Sequence, residues 1–147
     1  MTGNYQRDKC LARKDTAYAQ KIRLQKTGPS SSPLSTAVIA GDNVYFSGML
    51  AVDPGTGDLR QGSAFEETNL IIDNLKTMLE EMGRGLDSVV MTQCFLSGME
   101  HNDGFAEAYA ACFGALPCPP ARRTIVAAEL WGGCKVEMSC IAYLGDE

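Results

Sequence analysis

The sequence predicts an α+β domain, a mixed sheet with two helices on one of its faces. Three observations predict it. A chain of 147 residues with 45% apolar content is one domain's worth and can bury a core. Several short segments alternate apolar and polar residues with period two, while two longer ones repeat at helical spacing. Read in order, the elements run β-β-α-β-α-β-β, and two helices cover only one face of such a sheet.

The stretch "KIRL" alternates Ile22 and Leu24 with charge and reads as a short edge strand. "KTGPSSSP" after it has the composition of a linker. In "STAVIAGDNVYFSGML" two apolar runs flank a "GDN" turn, which predicts a hairpin with strands at 36–40 and 43–51. "DPGTGD" then breaks the chain with turn residues. From Ser63 to Met82 the period becomes helical, with Phe65, Ile72, Leu75, Leu79 and Met82 on one stripe. Ser63 and Glu66 form a capping-box pattern, and Gly83 and Gly85 end the helix.

"SVVMTQCFLSGM" reads as a strand apolar on both faces, with Val89, Met91 and Phe95 on one and Val90, Cys94 and Leu96 on the other. "GFAEAYAACFGA" gives a second helix whose stripe is Phe105, Tyr109, Cys112 and Phe113. "RRTIVAAEL" and "CKVEMSCIAYL" close the domain as two strands separated by "WGG". In the last strand Val136, Met138, Cys140 and Ala142 form an apolar face, while Lys135, Glu137, Ser139 and Tyr143 line the other.

Charge is unevenly spread. Residues 1–27 carry seven Lys and Arg against two Asp, whereas the rest carries six basic and sixteen acidic groups. Residues 1–20 are therefore read as a basic N-terminal extension and 21–147 as the folded domain. An acidic body without a basic stripe repels a phosphate backbone, so nucleic acid is not an expected partner. No apolar run is long enough to span a bilayer, and a membrane is not expected either. The six cysteines form no CxxC pair, and His101 stands apart, so no metal site is expected. The N-terminus lacks a hydrophobic signal core, which points to a reducing, cytoplasmic location; the basic leader leaves a mitochondrial one as the alternative.

No phosphate loop, dinucleotide fingerprint, zinc-protease or serine-hydrolase motif is present. The unusual feature is charge inside strands. In "PPARRTIV" adjacent arginines point to opposite faces, Arg122 with Thr124 and Val126, Arg123 with Ile125 and Ala127. A guanidinium fork suits a carboxylate, and a carboxyl group such as Glu137 handles protons. A surface arginine and a solvent-facing glutamate are the plain alternatives.

At these residues the chain resembles the RidA/YjgF family of small enamine/imine deaminases. The resemblance is carried by Pro120-Ala121-Arg122 followed fifteen residues later by Glu137 in "KVEMSCIA". "GDNVYFSG", "DPGTGDL", "DNLKTMLEEMG", "VVMTQCFLSGM" and "YAACFG" match its other motifs in order. The resemblance implies a chorismate-mutase-like homotrimer with clefts between subunits and no cofactor. It implies that Arg122 grips the carboxylate of a small imine and that Glu137 activates water, giving a 2-keto acid and ammonia. Ser47 and Gly48 would contact the substrate, as would Thr124, which shares a face with Arg122. Three positions depart from the family pattern: Leu34 replaces a tyrosine, Met49 a glutamine and Ala106 an asparagine. The cleft should then be more apolar and suit a bulkier imine. Two other functions stay open, a non-catalytic ligand-binding regulatory trimer and an endoribonuclease or translation inhibitor.

If "WGG" closes a tight hairpin, Arg122 lies opposite residue 142 and Glu137 opposite residue 127, roughly 16 Å apart along the strands. One chain could then not bring both to one substrate, and catalysis would need the oligomer. Arg123, turned the other way, is expected in an interface or surface ion pair.

Overall fold

The computed structural model describes residues 5–10, 21–26 and 33–145. Parts of the expected leader and linker, residues 1–4, 11–20 and 27–32, lie outside them. The described residues form one sheet of seven strands in the order β1-β2-β3-β4-β7-β5-β6. The strands are β1 (Tyr5–Cys10), β2 (Lys21–Lys26), β3 (Ala37–Ala40), β4 (Asn43–Phe46), β5 (Val89–Leu96), β6 (Ala121–Val126) and β7 (Val136–Tyr143). Helix α1 (Ala64–Glu81) connects β4 to β5, and α2 (Asn102–Phe113) connects β5 to β6. All neighbours are antiparallel except β5 and β6, which run parallel across the α2 crossover. The mixed α+β class is as expected.

Helix α1 begins where its sequence says it should. The Ser63 hydroxyl oxygen accepts the Glu66 N–H at 3.2 Å, and the Ser63 N–H donates to the Glu66 carboxylate at 2.8 Å. It ends in a left-handed Gly83 with φ 73°. There the Arg84 N–H reaches back to the Leu79 carbonyl and the Gly83 N–H to that of Glu80, a Schellman ending that no β-carbon would favour. Ile71, Ile72, Leu75 and Leu79 are fully buried against Val44, Val136 and Met138 of the sheet and Phe105 and Phe113 of α2. Phe65, expected on this stripe, is instead among the exposed side chains. No helix among the described residues is long and apolar enough to cross a membrane.

Several expectations about the sheet need correction. "KIRL" is not at an edge, because β1 pairs with β2 on its outer side. The second hairpin strand stops at Phe46 rather than 51. The chain breaks at Ser47-Gly48 and resumes with a single bridge between Met49 and Met138. In β5 a bulge at Val90 shifts the register between Val89 and Met91. Val89 therefore joins Thr92, Cys94 and Leu96 on the helix side, and Val90 is left exposed. The two last strands do not form a hairpin at all: β5 lies between β6 and β7. "WGG" is a helical turn rather than a hairpin loop, braced by the Gln61 side-chain amide, which donates to the Gly132 carbonyl.

The helix-free face carries Tyr45, Ile125 and Tyr143, all exposed, with Met91, Phe95 and Ile141 half-buried beside them. Strand β6 closes one end of the sheet, with every residue exposed.

Candidate functional site

Arg122 lies opposite Thr92 in the β5–β6 register, and both point to the helix side. Because β6 is the last strand, its side chains there meet α2 only along one margin. The Arg122 guanidinium carbon stands 4.8 Å from the Tyr109 ring centroid and 5.5 Å from that of Phe105. Such a stack contributes about 0.5–1 kcal/mol at an exposed site and more as water is removed. It restrains the guanidinium beside the rings, and among the described residues no hydrogen bond or ion pair takes up its N–H groups.

The rings are themselves fixed. Tyr109 packs on Phe113 at a centroid distance of 4.6 Å. Its hydroxyl shares a 2.8 Å hydrogen bond with the fully buried Thr92 hydroxyl. Burial raises the Tyr109 phenol above its ordinary range, so it stays neutral under the cation. Thr124 follows Arg122 on the same side, opposite Cys94. Ala106 sits half-buried on α2, next to Phe105.

Glu137 belongs to a different neighbourhood. It lies opposite Phe95 across the β5–β7 pair, between the buried Val136 and Met138, so its side chain is on the helix-free face. There it rests over Gly48: a β-carbon on that glycine would run into the Glu137 carboxylate, with Cδ only 3.0 Å away. Ser47, beside it, is exposed, and its hydroxyl donates to the Ser35 carbonyl at 2.6 Å while its N–H donates to Thr36 at 3.0 Å. Leu34, next to Ser35, is 67% exposed.

Met49 exchanges both backbone hydrogen bonds with Met138 and packs, partly buried, against the core one residue beyond Gly48. Arg123 faces away from Arg122 as expected; among the described residues of the single chain it makes no ion pair, which bears on the surface pair expected for it and not on one across an interface. The hairpin register that separated Arg122 from Glu137 is wrong, since their strands are not paired. They are nevertheless apart for another reason. They lie on opposite faces, two strands and three register positions distant, roughly 14 Å between Cα atoms. The chain thus carries the candidate residues in two separate groups: a guanidinium with Thr124 and Ala106 at the β6–α2 margin, and a carboxylate with Ser47 and Gly48 on the open face.

Sequence reasoning treated Phe105 and Tyr109 as core and overlooked Thr92 and Glu67. The spacing of four from Phe105 to Tyr109 did show that both rings lie on one stripe. Glu67, four residues before Ile71 and eight before Leu75, likewise falls on the buried stripe of α1.

The family described as endoribonuclease L-PSP matches residues 25–144 of the chain. The mouse protein named 2-iminobutanoate/2-iminopropanoate deaminase is 33% identical over 125 residues, covering 84% of this chain and 90% of the mouse one. The crystal structure of yeast Mmf1 superposes with a TM-score of 0.72 at 31% identity, over 80% of this chain and 91% of that one. That of the Escherichia coli YjgF gene product gives 0.70 at 25% identity, over 78% and 90%.

Proposed function

The chain belongs to the RidA/YjgF, or endoribonuclease L-PSP, family, and on that premise we propose that it is a cofactor-free deaminase of enamine/imine intermediates. The substrate is a 2-imino acid, and the products are a 2-keto acid and ammonia. The observation that carries this reading is the stacked Arg122, a cation placed over two rings with no hydrogen bond or ion pair to its guanidinium among the described residues. A bidentate carboxylate contact there holds the substrate beside Thr124.

Glu137 takes a proton from water as the oxygen adds to the C=N carbon, and the proton passes to nitrogen. The resulting carbinolamine then expels ammonia, and its hydroxyl oxygen becomes the new carbonyl. Nothing is oxidised or reduced. Since Arg122 and Glu137 face opposite ways, one site takes its guanidinium from one protomer and its carboxylate from another. A homotrimer with three such clefts accounts for this and covers the apolar helix-free face. Ala106, and Leu34 where it meets the cleft, leave an apolar wall suited to an imine larger than the one from alanine.

The test couples an amino-acid oxidase to imine decay and compares wild type with Arg122→Ala. Loss of a charge-assisted contact of roughly 1.5–3 kcal/mol predicts at least a tenfold lower kcat/KM. Equal rates would overturn the reading. Faster turnover of the leucine imine than of the alanine imine supports the apolar wall, and equal turnover contradicts it.

A further inference from the structure

Glu67 is 1% exposed, in the first turn of α1, and the hydrogen-bond and ion-pair partners of its carboxylate among the described residues are all donors. Its Oε2 accepts the N–H of Lys135 at 2.7 Å and of Val136 at 3.1 Å. Its Oε1 accepts the N–H of Gly62 at 3.3 Å and lies 3.8 Å from the Lys135 ammonium. A carboxylate satisfies such a set because all its lone pairs accept; an amide would turn one N–H₂ group toward other donors.

Alternate N–H groups of a strand leave by the same edge, so those of Val136 and Met138 point one way on either side of Glu137. Strand β4 ends at Phe46 and supplies neither with a ladder partner. The Met138 N–H goes to the Met49 carbonyl at 3.0 Å, across the break at Gly48. That of Val136 goes to Glu67, whose carboxylate stands where the next strand carbonyl would be.

We propose that Glu67 is a positioning residue for Glu137: by replacing the missing ladder acceptor it holds β7 so that the Glu137 carboxylate rests over Gly48. It is shut off from solvent and touches no substrate. This inference rests on the deaminase reading for its kinetic consequence, but not for the clamp itself.

The test compares wild type, Glu67→Gln, Glu137→Gln and the double variant for kcat and KM on an imine generated by amino-acid oxidase. Backbone amide exchange over residues 135–138 is followed in the same proteins. The Glu67→Gln change should lower kcat about tenfold and keep KM within about twofold, because the Arg122 grip is elsewhere. It should have no further effect on the residual rate once Glu137 is glutamine, and exchange at 135–138 should quicken by about tenfold. An undiminished kcat, or an equal loss in both backgrounds, would overturn the proposal. If wild type releases no ammonia, the deaminase reading fails and exchange alone decides: quicker exchange sustains the clamp, unchanged protection overturns it. Glu67→Asp, with the same expectations, replaces Glu67→Gln if the glutamine variant does not fold.

Discussion

Arg122 sits on an exposed edge strand, where a long side chain ordinarily samples many rotamers, yet its guanidinium lies over two rings. Removing the ring and removing its hydroxyl should therefore have different effects. Tyr109→Leu should raise KM for a 2-imino acid several-fold, since the cation loses its platform. Tyr109→Phe keeps the ring but strands the buried Thr92 hydroxyl, and should cost about 1–3 kcal/mol in denaturant unfolding with little change in KM. Gly48→Ala should lower kcat while leaving KM and cooperative unfolding near wild type, because the new methyl displaces the Glu137 carboxylate. The thiols are a contrasting case. Burial pushes Cys94 up to about 11 and Cys140 up to about 12, so neither forms thiolate near neutral pH. Both should resist iodoacetamide in the native protein and react once it is unfolded, as read by peptide mass.

At the scale of elements, alternation and periodicity encode which face a residue takes but not which strand lies next to it. The faces of Arg122 and Arg123, of Val136 and Met138, and the stripe of α1 apart from Phe65, with its Ser63–Glu66 cap, were legible for that reason. The pairing of the last two strands was not. A Gly-Gly turn between two β patterns suggests a hairpin, but nine residues separate β6 from β7, enough to pass around β5 instead. The bulge at Val90 was equally hidden, since an extra residue leaves the composition of a strand unchanged. Ser63→Ala should destabilise the domain by about 1 kcal/mol. The Ser63 N–H and hydroxyl hold the Glu66 carboxyl below its ordinary value. Its contribution is therefore present above the unfolded pKa and lost as pH falls through the lower folded one. The stability difference between wild type and Ser63→Ala should accordingly shrink in acid, as measured by melting from pH 7 down to about 3.

For the whole molecule, the helix-free face and the β6 end make the single chain look unfinished. Exposed Tyr45, Ile125 and Tyr143 are what a partner copy would cover, and the two groups of candidate residues are what it would join. The hairpin register that kept Arg122 from Glu137 within one chain was wrong, and the opposed faces are what separates them instead. The most direct measurement is complementation between Arg122→Ala and Glu137→Gln chains, each nearly inactive alone, refolded together in equal amounts. If each site draws on two protomers, random mixing restores roughly a quarter of wild-type deaminase activity, because half the guanidinium donors meet half the carboxylate donors intact. A mixed assembly that forms and stays as inactive as its parents would contradict the shared site.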